Sequence, residues 1–269
     1  MLGSSRTSLA LVNEAVAGAF HDDGLGIAGD DLLAITDLLT REKPLLAALA
    51  DGGREGAERS GVLSRLVGEQ VSPLGLSLAT TVVGNRWSSE GDLVDALEQT
   101  GASALIGAAE KDGTTDRVAD ELFRFGRIVD ANGELQLTLS SPQIPAQAKR
   151  AVVAELLAEK ADPTTVKLAS FAVTHLRGRK IEDAIDGLVE LAAVRRGELS
   201  AVVRVASPLD ADQEQRLGAA LETLYGRPVQ LSIEIDPALI GGVSVQVGDE
   251  VIDGTLANKI AQARRRLAG

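Results

Sequence analysis

Cysteine is absent from the 269-residue chain. That excludes disulfides, thiolate nucleophiles and zinc–thiolate sites, and leaves the redox compartment open. Histidine is almost absent too. His21 and His175 are the only two, whereas a metal site usually gathers several nitrogen or sulfur ligands. Aromatic residues make up 2% of the chain, so a core must be assembled from Leu, Val, Ile and Ala, which suits packed helices better than a β-sandwich. Positive charge is in deficit. A formal net charge of −12 argues against nucleic acid as a partner, because phosphate binding needs a basic surface. Arg195–Arg196 and Arg264–Arg266 sit at the ends of helical stretches, where cations suit the helix dipole. No apolar run approaches the roughly 20 residues that span a bilayer. The patch Leu9–Val12 is broken by Asn13 and Glu14. It makes a poor signal peptide and reads as a first amphipathic helix. The expectation is a soluble, cytoplasmic protein without direct membrane insertion.

Catalytic motifs are missing as well. Gly241-Gly242 lacks the lysine and the Ser/Thr that a phosphate-binding loop needs. The pair enters a strand, where glycine permits a tight bend. Gly242-Val243-Ser244 starts like a nucleophile elbow, but position 246 is Gln, and strand does not pass into helix there. His175 lies on an apolar helix and reads as packed. Trp87 reads as helix packing. Asp22–Asp23 and Asp30–Asp31 sit near helix starts, where negative charge is favoured, and lack the spacing of a calcium loop. The sequence therefore predicts no catalytic residue, no cofactor and no metal.

What is present is helical periodicity over most of the first 196 residues. Val118, Leu122, Phe125 and Val129 form one stripe. Ile181, Ile185, Leu188 and Ala192 form another, and Leu32, Ile35 and Leu39 a third. Ser72-Pro73 and Asp162-Pro163 pair an N-cap residue with a proline in the first turn. The glycine-rich stretch Asp51–Gly61 reads as a loop.

An internal repeat runs beneath this pattern. Gly18–Gly24 resembles Gly107–Gly113, Val62–Pro73 resembles Val152–Pro163, and Leu93–Leu97 resembles Ile181–Ile185. The matches keep their order at offsets of 88 to 90 residues. They predict two copies of one helical bundle, residues 1–98 and 99–196.

The period changes after Gly197. Ala201–Ala206 reads as a strand. Asp210 and Gln213 then form a capping box before a helix with Leu217, Leu221 and Leu224 as its stripe. Val229–Ile235 and Val243–Val247 alternate at period two. Val251-Ile252 can pair beyond a turn at Gly248-Asp249. A closing helix carries Leu256, Ile260, Ala263 and Leu267. The predicted fold class is mainly α with a small α/β C-terminal domain, residues 197–269. That domain holds a short-stranded sheet with two helices, and is small enough to lean on a partner.

The run from Leu231 to Leu256, with Asp236, Gly241, Gly242, Gly248, Asp253 and Gly254, resembles the signature of the delta subunit family of F-type ATP synthases. The mitochondrial counterpart is the oligomycin sensitivity conferring protein. Ala206-Ser207-Pro208-Leu209 and Tyr225-Gly226 fall in the family's order, as does Leu122–Phe125 followed by Ser140-Ser141-Pro142. The resemblance is specific over 198–269 and fair over 102–197. The first hundred residues depart from the usual subunit and look like the second copy found in long bacterial forms.

This resemblance implies a non-catalytic connector of the peripheral stalk. A helical domain would grip the N-terminal helices of alpha subunits on the catalytic head, and the C-terminal domain would take the end of the b subunit. The implied place is the cytoplasmic face of the bacterial plasma membrane. By the family's layout, the groove for the head lies between the first and fifth helices of the second bundle. Its walls are Leu105, Ile106, Ala109, Leu168, Ala172 and Leu176. The six signature residues are read as architectural. The rival readings are a helical-repeat adaptor unrelated to ATP synthase and an enzyme using acidic residues, for which no telling carboxylate pair appears.

Overall fold

A computed structural model describes residues 3–19, 22–157, 160–195, 199–225, 229–236, 239, 242–247 and 250–253. Twelve helices and four strands lie among them. The chain divides into two compact units, residues 1–192 and 193–269. The expected class, mainly α with a small α/β C-terminal part, is what the structure has.

The helical unit begins with α1 (Ser4–Gly18), α2 (Leu25–Arg41), α3 (Lys43–Ala50), α4 (Gly56–Val67) and α5 (Pro73–Gly84). It continues with α6 (Glu90–Lys111), α7 (Thr115–Ala131), α8 (Gly133–Ser140), α9 (Ala146–Leu157), α10 (Pro163–Thr174) and α11 (Ile181–Arg195). α2 and α7 are each 17 residues long, α3 and α8 each 8, α4 and α9 each 12, and α5 and α10 each 12. Each member of a pair starts 90 residues after its counterpart. The caps recur with the helices. Ser72 Oγ accepts the Gly75 amide at 3.0 Å and Asp162 Oδ1 the Thr164 amide at 2.9 Å, each satisfying a donor that the first turn leaves unpaired.

Two cores fill this unit. One gathers Leu32, Ile35, Leu39, Leu63, Leu78, Val82, Trp87, Leu93 and Leu97. The other gathers Leu105, Ile106, Val118, Leu122, Phe125, Leu168, Ile181 and Ile185. α6 serves both, with Leu93 and Leu97 in the first core and Leu105 and Ile106 in the second. The boundary expected between residues 98 and 99 thus falls inside a continuous 22-residue helix.

The glycine-rich stretch departs from expectation. Only residues 51–55 lie outside helix, because α4 starts at Gly56. A Cβ at Gly56 would lie 2.3 Å from the Gly84 carbonyl oxygen. The glycine is there for close approach of α4 to the end of α5, and Leu63 and Val67 hold the helix in the core. Packing overrides local propensity here.

In the second unit, β1 (Leu199–Val205), β2 (Val229–Ile235), β3 (Val243–Val247) and β4 (Glu250–Asp253) form a sheet in the order β2-β1-β3-β4. β1 is parallel to β2 and antiparallel to β3. α12 (Ala211–Tyr225) connects β1 to β2, as a parallel pair requires. Ala201, Val203 and Val205 are buried together with Leu221, Val245 and Val247. The capping box forms in both directions: Asp210 N donates to Gln213 Oε1 at 3.0 Å, and Gln213 N to Asp210 Oδ1 at 2.8 Å. Leu224 leaves the expected stripe and is 63% exposed. Tyr225 packs on the core at the helix end instead. The expected closing helix with Leu256, Ile260, Ala263 and Leu267 lies outside the described residues.

Candidate functional site

Five of the six expected groove residues are buried to 2% exposure or less: Leu105, Ile106 and Ala109 on α6, and Leu168 and Ala172 on α10. Leu176, just past α10, is half-buried against the same core. What covers the cleft between α6 and α10 is α2. Leu33 of α2 belongs to the second core. Gly29 lies so close to α6 that a Cβ there would be 2.7 Å from Leu105 Cγ and 3.0 Å from the Gly101 carbonyl oxygen. From the other side, a Cβ on Gly101 would meet Leu33 Cδ2 at 2.9 Å. These glycines let two helices approach at the backbone level, which any side chain would prevent.

Polar contacts fix α2 against α10. Lys167 Nζ lies 2.6 Å from Asp30 Oδ2, and His175 Nε2 lies 3.0 Å from Asp37 Oδ1. His175 is 5% exposed and stacks on Phe171 with ring centroids 4.0 Å apart. Its Nδ1 lies 2.9 Å from Thr174 Oγ1 and 3.1 Å from the Phe171 carbonyl oxygen, so both ring nitrogens have polar partners. Beyond α10, Arg177 reaches Asp95 and Glu98 at 2.5 Å each, and Arg179 reaches Glu98 at 2.7 Å. His175 is packed, as the sequence suggested. The acids at Asp30 and Asp31 serve tertiary contacts rather than the helix dipole: Asp31 Oδ2 accepts the Ser72 amide at 2.8 Å.

A buried clasp holds the start of α10. Glu121 Oε2 accepts the Asp162 amide and the Thr165 hydroxyl, both at 2.7 Å, and Arg117 Nε donates to Oε1 at 2.7 Å. Burial pushes the Glu121 carboxyl up. The bonds from Thr165 and Asp162, with Arg117 beside them, outweigh that and hold it below its ordinary value. Asp31 and Glu121 stand 90 residues apart, as do Ser72 and Asp162, so each set of helices closes the start of its fifth helix with a carboxylate from its second. Lys149 on α9 is 7% exposed, and burial alone pulls its ammonium down.

Sequence reasoning missed α2 as the element in the cleft. The available signal was Gly26 and Gly29, three apart on one helix face, with Gly101 as the answering small residue on α6. Trp87 is 5% exposed and donates from Nε1 to the Val82 carbonyl at 2.8 Å, as packing between helices implies.

In the C-terminal unit Gly242 has φ +85°, a left-handed conformation in which glycine is unstrained. Asp236 N donates to the Val205 carbonyl at 2.8 Å, and Leu239 N to the Asp236 carbonyl at 3.1 Å. β1 lies between β2 and β3, so those two strands do not pair as a hairpin. Asp253 ends β4 opposite Ser244. Gly241, Gly248 and Gly254 lie outside the described residues. Among the described residues no group of three or more His, Asp or Glu could hold a metal ion, and no helix is long and apolar enough to cross a membrane.

A sequence model of the family described as ATP synthase delta (OSCP) subunit matches residues 97–267. The chain is 44% identical over 270 residues to "ATP synthase subunit delta" of Streptomyces coelicolor, covering 100% of this chain and 98% of that one. It is 42% identical over 271 residues to the protein of the same name from Streptomyces griseus subsp. griseus, covering 100% of both. The Salinispora arenicola protein of that name is 43% identical over 253 residues, 94% of this chain and 92% of that one. The similarity runs through the first hundred residues as well as the family match, and on both grounds the chain belongs to the ATP synthase delta (OSCP) subunit family.

Proposed function

We propose that this protein is a peripheral-stalk connector of F-type ATP synthase. It links the alpha-subunit N-termini of the catalytic head to the b-subunit stalk, and resists rotation of the head during proton-driven ATP synthesis. As a member of its family it is a structural subunit and not an enzyme. The observation that carries the reading is full-length likeness to proteins named ATP synthase subunit delta, at 44% and 42% identity.

In this reading residues 1–98 and 99–196 are two copies of one helical bundle and 197–269 is the α/β domain. The matched helix lengths and 90-residue offset of α2–α5 and α7–α10 support the duplication. The cleft walled by Leu105, Ile106, Ala109, Leu168, Ala172 and Leu176 is of the kind that receives a helix between helices, and α2 is the helix against it. The residues Asp236, Gly241, Gly242, Gly248, Asp253 and Gly254 shape the platform for the stalk. The protein works at the cytoplasmic face of the bacterial plasma membrane, held there by its partners.

Co-purification from the native membrane tests this. The tagged chain should bring alpha and b subunits with it. A truncation after residue 197 should keep the head and lose the stalk. Recovery of the full chain without either subunit would refute the connector role.

A further inference from the structure

The α6–α10 cleft already holds a helix. α2 lies in it with Gly29 against Leu105 and Gly101, and with Leu33 inside the second core. Its charges are spaced for the task. Asp30 and Asp37 lie seven residues apart on α2, two helical turns, and Asp23 precedes the helix. Asp30 meets Lys167 of α10 at 2.6 Å and Asp37 meets His175 just past α10 at 3.0 Å, while Asp23 meets Lys111 at the end of α6 at 2.6 Å. An exposed ion pair such as Lys167–Asp30 adds little stability, but contacts to both walls fix the register of α2 in the cleft. The other face of α2 is equally committed, because Leu32, Ile35 and Leu39 are 0–2% exposed in the first core. α2 cannot leave the cleft as a free helix without dismantling that core.

We propose that α2 is a permanent intramolecular ligand of the α6–α10 cleft, and that no partner helix enters this cleft while the chain is folded. The cleft that the family resemblance assigns to the head is thus filled by the chain's own first bundle, and the head is received on another surface. Only the second assay below rests on the connector reading.

Two measurements on the full chain decide this. In the first, amide hydrogen exchange reports whether α2 opens separately. Residues 28–39 of α2 and 101–109 of α6 should exchange with protection factors agreeing within about tenfold, since they open together. α2 amides that exchange far faster, while α6 stays protected, would overturn the proposal.

The second assay locks the cleft. A Cβ at Gly26 lies 3.4 Å from the Ala108 Cβ, close to the disulfide range of about 3.5–4.5 Å. The chain has no other cysteine, so G26C with A108C forms one defined bond between α2 and α6. Attachment of the catalytic head should be unchanged between the oxidised and reduced forms. If oxidation weakens attachment about tenfold or more and reduction restores it, α2 has to leave, and the proposal fails while the connector reading survives. If neither form nor the unaltered chain attaches, the connector reading fails, and hydrogen exchange alone decides the cleft.

Discussion

Replacing Glu121 with Ala removes the acceptor for two buried donors at once. The Asp162 amide and the Thr165 hydroxyl both point at Oε2 from 2.7 Å, and Thr165 is fully buried. A hydrogen bond to a charged group contributes about 1.5–3 kcal/mol, and an orphaned buried donor costs a similar amount. The two donors share one oxygen, so the losses overlap, and the expected destabilisation is about 3 kcal/mol. Arg117 adds little, because its side chain is half-exposed. Asp31→Ala, 90 residues earlier in the chain, is the internal control. Asp31 accepts one amide, from Ser72, in a partly exposed setting, and its loss should cost about 1 kcal/mol.

Acid supplies a second check. The Glu121 carboxyl is held below its ordinary value in the fold. Its stabilisation is therefore complete above the unfolded value of about 4.3 and is lost as pH falls through the folded value. Urea unfolding followed by far-ultraviolet circular dichroism should show wild type well above Glu121→Gln at neutral pH, with the gap closing in acid. Equal costs for Glu121→Ala and Asp31→Ala, or a gap that ignores pH, would refute the clasp as the origin of the stability.

Lys149→Met should raise the melting temperature by a few degrees. It removes an ammonium that burial disfavours and keeps a similar shape, so calorimetry showing a fall would count against it. Leu221→Ala should cost about 2–4 kcal/mol, since Leu221 is 5% exposed; Leu224→Ala, three residues on, should stay within about 0.5 kcal/mol. Paired denaturation curves settle that contrast. Gly242→Val should cost about 1–3 kcal/mol through the strain of a β-branched residue at φ +85°, read as a lower melting temperature with weaker stalk binding following it.

Much of the fold was legible because the relevant signals are local. The stripe Val118, Leu122, Phe125 and Val129 is 0–1% exposed, as a helical period predicts. Ser72, Asp162 and Asp210 cap the helices they precede, since capping depends on a few consecutive residues. The position of α2 was not legible in this way. It depends on Gly29 meeting Gly101 and on Asp37 meeting His175, contacts between residues far apart in sequence that no periodicity encodes. Leu224 fits a stripe by spacing but is 63% exposed, and Tyr225 beside it packs on the core. Gly56 reads as a loop residue locally and is helical because α5 ends beside it.

The continuity of α6 has a mechanical meaning. At 22 residues it is ~33 Å long, at about 1.5 Å per residue, with each half embedded in a different core. Bundles joined by a loose linker can pivot like beads on a string. Here a splint runs through both, so a torque on one is carried to the other along a single column of backbone hydrogen bonds. Yielding would require several of those bonds to break together within the span from Leu97 to Gly101. In the proposed role of a connector held still beside a driven neighbour, stiffness of this kind serves better than strength at any one contact.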